Sequence, residues 1–280
     1  MDRIVEAFTP NEIARRVETV GTARTYLGVF STLGLAIMAG VFIALGGSLT
    51  GTIAVDSGLG DGPTRLLMGL GLSMGLFMVV ITGAELFTGN NLMLMSLLSR
   101  RIRLFALGRN WLLAYVGNLA GALLIVALVF YGRWWMQGDF SFGATALEVA
   151  DAKVNLSFEA AFLRGILANM LVCLAIWMAM AGRTVVDKLL GVTLPITAFV
   201  AAGFEHSIAN MYFLPLGLLV AEEPEVLAAA GVAAGDLDRL TLPWVVHNLA
   251  AVTLGNIVGG ALIGLIHWFL HLRSQRGEES

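Results

Sequence analysis

The sequence predicts an all-α membrane protein of six transmembrane helices, built as an inverted repeat of three plus three spans with the second and fifth helices broken. Three observations predict it. The chain is 58% hydrophobic and only 13% charged, where a soluble domain carries about 25% charged residues, and its mean hydropathy is +0.82. Six apolar elements, each long enough for the roughly 20 residues a span needs, follow one another at about 27–50, 65–98, 110–131, 159–181, 190–220 and 243–270. Two of them, the second and the fifth, carry related polar interruptions 120 residues apart.

The first 26 residues are rich in charge and lack an apolar core with a cleavage site, so no cleavable signal is expected. They read as an amphipathic cytoplasmic helix before the first span, starting at Thr9-Pro10 because proline suits a first helical turn. The second element is interrupted at Gly83-Ala84-Glu85-Leu86-Phe87-Thr88-Gly89-Asn90, the fifth at Gly203-Phe204-Glu205-His206-Ser207-Ile208-Ala209-Asn210. A buried glutamate is costly unless partnered. Two of them beside glycine suggest helices broken inside the bilayer.

Gly83, Glu85 and Asn90 recur at Gly203, Glu205 and Asn210, and Gly117-Asn118 through Gly121 recurs 138 residues later at Gly255-Asn256 through Gly259. Both pairs join matching elements, second with fifth and third with sixth. Each half then holds three spans, an odd number, so the repeat must be inverted. Residues 1–280 read as a single transmembrane domain with repeats at about 27–131 and 159–270. The stretch from Tyr131 to Ser157 reads as polar and lying against the headgroup layer through Trp134, Trp135 and Phe140. Glu222–Arg239 reads as a loop or short surface helix, and the tail after Leu272 as disordered.

Charge sets the orientation. Twelve of the 17 Lys and Arg residues fall on the side of the termini, among them Arg15, Arg24, Arg101 and Arg183. The positive-inside rule then places both termini in the cytoplasm and the chain in a cell inner membrane or plasma membrane. A lone cysteine, Cys173, allows no internal disulfide. No Walker, dinucleotide or nucleophile-elbow motif occurs, so neither enzyme nor cofactor is expected, and no basic run with aromatics suggests nucleic acid. His267 and His271, four apart, could share a metal, but an interfacial histidine needs none, and no metal site is expected.

Glu205-His206 is the main chemical feature. It reads either as a titratable centre at mid-membrane facing a pore or as a pair filling a polar pocket. Thr88 can offer a hydroxyl to an anion. Glu85 and Glu205 read as supports of the broken helices, with Asn90 and Asn210 beside them, since a carboxylate in an anion path would repel its cargo. Asn169 and Asn256 can either join helices or donate to a passing anion. Lys153 reads as a solvated interface lysine or as an attractor of anions. Leu72, Leu76 and Phe199 read as core, or as apolar rings that exclude water from a pore.

With these motifs in hand the chain resembles the formate/nitrite transporter family, which includes hydrosulfide channels. The resemblance runs over roughly residues 10–270 and rests on Gly83–Gly89, Gly117–Gly121, Lys153–Phe158, Asn169–Met178, Gly203–Asn210 and Thr253–Asn256. It implies an aquaporin-like protomer with its own pore, a homopentamer, and small monovalent anions (formate, with nitrite or hydrosulfide as alternatives) moved passively or with a proton. It also implies that His206 is the central histidine and Thr88 the loop threonine. Lys153 becomes the vestibule lysine, Asn169 and Asn256 the pore asparagines, and Leu72, Leu76 and Phe199 the constrictions. At Leu72 the chain departs from the pattern, since formate and nitrite members usually carry phenylalanine there. The rival class is an aquaporin-like channel for neutral solutes, which would carry paired Asn-Pro-Ala turns. This chain has none.

Overall fold

The structure, a computed structural model, describes residues 6–55 and 57–273. The expectations for the extreme N-terminus and for the tail from 274 onward lie outside these residues. Among the described residues all regular elements are helical: α1 (Pro10–Arg24), α2 (Val29–Ala54), α3 (Asp61–Thr82), α4 (Phe87–Asn90), α5 (Leu94–Leu98), α6 (Leu104–Tyr131), α7 (Ser141–Val154), α8 (Phe158–Ala181), α9 (Val185–Ala201), α10 (Ser207–Val220), α11 (Pro224–Ala230) and α12 (Leu242–His271), with three short 3-10 turns.

Helices α2, α3, α6, α8 and α12 are each long and apolar enough to cross a membrane. They expose rows of leucine and phenylalanine, Leu112, Leu128, Leu265 and Phe269 among them, a surface that water disfavours and lipid accepts. The chain is a multi-span membrane protein. The apolar element expected at 190–220 is two helices, α9 of 17 and α10 of 14 residues.

Glycine sets the packing. A Cβ on Gly121 would overlap the Ile37 carbonyl, and one on Gly259 the Ile166 carbonyl. Helix α6 therefore lies backbone-close on α2, and α12 on α8, as small residues allow in membranes.

Both interruptions have a local cause. Helix α3 ends where Gly83 takes a left-handed conformation, φ 71°, and Leu86 is extended before α4 restarts. Helix α9 ends before Gly203, φ 70°, and α10 begins after His206, whose ring caps it by accepting from the Ala209 N–H. Non-glycine residues adopt the left-handed region only at a cost.

The stretch expected to lie on the headgroups folds differently. Most of it is α7, whose Phe142, Leu147, Ala150 and Val154 are buried. These apolar residues recur at helical spacing, so α7 packs into the molecule and carries Lys153 at its C-terminal end. Helix α1 does start at Pro10, with Thr9 and Glu12 forming a capping box.

Candidate functional site

The polar side chains of the two interruptions gather into two clusters built from matching residues, an acid, two asparagines and a cation, whose bonds agree in part. In the first, Arg24 at the end of α1 pairs with Glu85, Nε to Oε1 2.9 Å, and also donates to Asn90 Oδ1. Asn90 Nδ2 donates to Glu85 Oε2 at 2.6 Å and to Asn110 Oδ1 at 2.8 Å, and Asn110 Nδ2 donates to Glu85 Oε2 at 2.9 Å. In the second, Lys153 at the end of α7 pairs with Glu205, Nζ to Oε1 2.9 Å. Asn210 Nδ2 donates to Glu205 Oε2 at 2.7 Å and to Asn248 Oδ1 at 2.9 Å. Asn248 Nδ2 donates to the Lys153 carbonyl at 2.8 Å.

Each interruption frees backbone groups that a dry interior cannot leave unpaired. Asn118 accepts from the Phe87 N–H and donates to the Ala36 and Glu85 carbonyls. Asn256 accepts from the Ser207 N–H and donates to the Gly165 and Glu205 carbonyls. Asn256 has thus spent its amide on backbone. Asn169 donates to the carbonyls of Thr88 and Asn256 and to Asn91 Oδ1, and its own Oδ1 is buried without a partner.

Between the clusters the two interruptions touch. Thr88 Oγ1 lies 2.9 Å from His206 Nε2, and both residues are buried. The Ala209 N–H donates to His206 Nδ1 at 3.1 Å. Nδ1 is therefore an acceptor, and a neutral ring holds its one hydrogen on Nε2, toward Thr88.

A cavity of about 140 Å³ reaches His206 from the Lys153 cluster, lined by Lys153, Glu205, His206, Phe199 and Leu72 among others. A further void of about 10 Å³ shares Leu72, Phe199 and His206 with it and is lined also by Ile43, Leu76, Leu86, Val172 and Ile196. That is about the least space a single water occupies. A separate space of about 30 Å³ is lined by Arg24, Gly89 and Ile176.

The structure thus brings Leu72, Leu76, Phe199 and His206 together around the narrow void, with Thr88 behind His206 and Lys153 on the wall of the wider cavity. Glu85, Glu205, Asn90, Asn210 and Asn256 lie in the bracing around it. Sequence reasoning did not single out the bracing by Arg24, Asn110 and Asn248 or the place of Leu86 on the wall of the narrow void. A signal for them exists: Asn110 and Asn248 share the 138-residue offset of Asn118 and Asn256, and Leu86 precedes His206 by the same 120 as Glu85 precedes Glu205.

The sequence model described as formate/nitrite transporter matches residues 11–269. The chain is 39% identical over 279 residues to a formate channel FocA of Escherichia coli, covering 97% of each chain. It is 33% identical to a probable formate transporter of Methanothermobacter thermautotrophicus, over 95% of this chain and 97% of that one. Among solved structures it is similar to a pentameric formate channel with formate bound, with a TM-score of 0.79 and 34% identity over 88% of this chain and 98% of the other.

Proposed function

The chain belongs to the formate/nitrite transporter family, and from that premise we propose that it carries formate across the membrane through a pore in each protomer of a homopentamer. Nitrite and hydrosulfide are the alternative cargoes within the family. The observation that carries the reading is the Thr88–His206 contact at the closed, apolar waist between the Lys153 and Arg24 clusters. An anion sheds water there at high cost, and the waist offers it one strong donor. Relatives named as formate channels support the cargo, and the pentamer in a similar solved structure supports the assembly.

In this reading Lys153 offsets the charge of Glu205 so that anions can approach, Leu72 and Phe199 strip water, and His206 donates from Nε2 while Thr88 completes the contact. Neutral His206 cannot surrender that hydrogen without becoming an imidazolate. Acting as an acid requires a second hydrogen on Nδ1, where the Ala209 N–H points. Anion passage with hydrogen bonding is therefore the simpler route, and proton-coupled transport needs the Ala209 bond to open.

The architecture proposed with it has six spans, the second and fifth broken, in two inverted, aquaporin-like halves. The paired hydrogen-bond sets of Asn118 with Asn256 and of Glu85 with Glu205 support it. They also support drawing α1 and α7 into the repeats, beyond the sequence-based bounds of 27–131 and 159–270. Arg24 and Lys153 stand 129 residues apart, as do Ala36 and Gly165, whose carbonyls Asn118 and Asn256 hold. The excess of Lys and Arg supports cytoplasmic termini, with the Arg24 cluster inward and Lys153 outward.

Liposome flux of formate, nitrite and hydrosulfide, measured side by side, tests the proposal. Formate flux above that of empty liposomes is expected. Strong nitrite or hydrosulfide flux without formate would reassign the cargo, and no anion flux at all would sink the transport reading.

A further inference from the structure

Away from the passage, a second cleft of about 350 Å³ opens beside the C-terminal end of α6, the 3-10 turn after it and the start of α11. Its wall is aromatic. The rings of Phe130 and Trp135 stack at 6.0 Å, and Phe140 follows Trp135 at 5.9 Å. The Trp135 indole N–H is already spent on the Phe130 carbonyl at 3.0 Å. Tyr131, Arg133, Glu223 and Glu225 share the cleft. No ion pair joins Arg133 to either glutamate among the described residues, so charges of both signs face one space without neutralising each other.

The backbone here is under constraint. Four non-glycine residues among those described have positive φ, and three of them, Arg133, Asp139 and Phe140, belong to the one connection between α6 and α7. Such conformations persist only where surrounding contacts enforce them, and they concentrate at ligand clamps and switches.

We propose that this cleft binds the headgroup of a zwitterionic phospholipid carrying an ammonium group. Aromatic faces attract an ammonium through the ring quadrupole, and two carboxylates at the same opening add charge-assisted acceptance. Arg133 offers a fork of donors suited to the phosphate. A row of exposed apolar residues one helical turn apart, Leu124, Leu128 and Tyr131, runs along α6 up to the cleft and gives the acyl chains a track. A headgroup without an ammonium satisfies only Arg133, so phosphatidylglycerol is the discriminating competitor.

Native mass spectrometry of the full-length oligomer tests this, with phosphatidylethanolamine and phosphatidylglycerol as probes. Phosphatidylethanolamine is expected to be retained about tenfold better. That preference should vanish in the double variant Glu223→Gln, Glu225→Gln, whose positions at the surface leave the fold intact. Equal retention of both lipids by the unmodified protein would overturn the proposal. So would a double variant that keeps the preference, or one that loses the oligomer, which would make the cleft a contact between copies. Phosphoethanolamine without acyl chains, competing at millimolar concentration as well as the lipid does, would overturn the lipid source in favour of a soluble amine.

Discussion

The two interruptions share a scaffold and differ in what they present. Glu85 with Asn90 and Asn110 repeats in Glu205 with Asn210 and Asn248, and a cation from a preceding helix closes each set. Yet Leu86 occupies the place that His206 fills in the other half, and Thr88 the place of Ile208. Both ends needed the same solution, because a helix cut inside an apolar interior exposes amides that must be bonded. Only one end needed a donor and only the other a hydroxyl. The matching residues hold the backbone, and the residues that differ, His206 and Thr88, meet at 2.9 Å. Difference between the halves, rather than likeness, marks where the chemistry lies.

The largest expected effect tests that division. His206→Phe keeps the bulk and removes the donor, so formate flux should fall on the order of a hundred- to a thousandfold, the loss typical of deleting one preorganised donor to an anion. His206→Asn keeps a donor and should retain measurable anion flux across pH 5 to 8. Leu86→Val, at the matching place, should leave flux close to normal. Liposome flux together with oligomer size in detergent checks all three. A Leu86 variant as damaged as His206→Phe would erase the asymmetry.

Next come the shared residues. Glu85→Gln and Glu205→Gln each leave a cation without its counter-charge. Each should cost about 3 kcal/mol, the low end for breaking such a pair, because Arg24 and Lys153 keep 21% and 16% of their side chains exposed. Thermal unfolding of the oligomer measures this, and the comparison predicts similar losses at the two sites. A large loss at one and none at the other would show that the clusters are not equivalent braces.

Much of this was legible in the sequence, for reasons the hydrogen bonds make plain. Glu85 and Glu205 stood out because an acid in an apolar run is costly, and Gly83 and Gly203 because only glycine turns left-handed cheaply. Arg24 was hidden because a basic residue before the first span counts toward orientation and reads as solvated. Its reach to Glu85 depends on how α1 folds back. Helix α7 was hidden because Trp134 and Trp135, in the turn before it, suggested an interface, while Phe142, Leu147, Ala150 and Val154 spelled a buried helical face. The pore role proposed for Leu72, Leu76 and Phe199 is not separable from core packing without the family resemblance, since an apolar pore ring and an apolar core use the same residues.

A smaller effect bears on the asparagines. Asn118→Leu and Asn256→Leu remove the acceptor for one buried backbone N–H and the donor for two carbonyls at each site. About 1–3 kcal/mol should be lost per orphaned group at most, and the two variants should again match in thermal stability. Their flux should differ, because Asn256 holds the residues adjoining His206 whereas Asn118 holds those adjoining Leu86. Equal flux in both would mean that either brace can be loosened without moving the donor.

The smallest expected effect concerns the cation at the approach. Lys153 lines the cavity of about 140 Å³, but its ammonium is paired with Glu205 at 2.9 Å, so it does not act as a bare charge. Replacing it by alanine strips the pair of its positive half and leaves an acid facing arriving anions. Flux at low formate should fall about two- to fivefold at low ionic strength and recover as salt screens the field. The double variant Lys153→Met, Glu205→Gln removes both charges together, keeps an amide to accept from Asn210, and changes the distant field little. Its loss should be smaller and nearly independent of salt. Arg24→Ala should reproduce the salt-sensitive loss for flux in the opposite direction, because Arg24 closes the other cluster in the same way. If the double variant loses as much as Lys153→Ala and with the same salt dependence, the ammonium works as a free attractor and the pairing is incidental. If Lys153→Ala matches the unmodified protein at every salt concentration, neither cation steers anions, and both serve only to hold their glutamates.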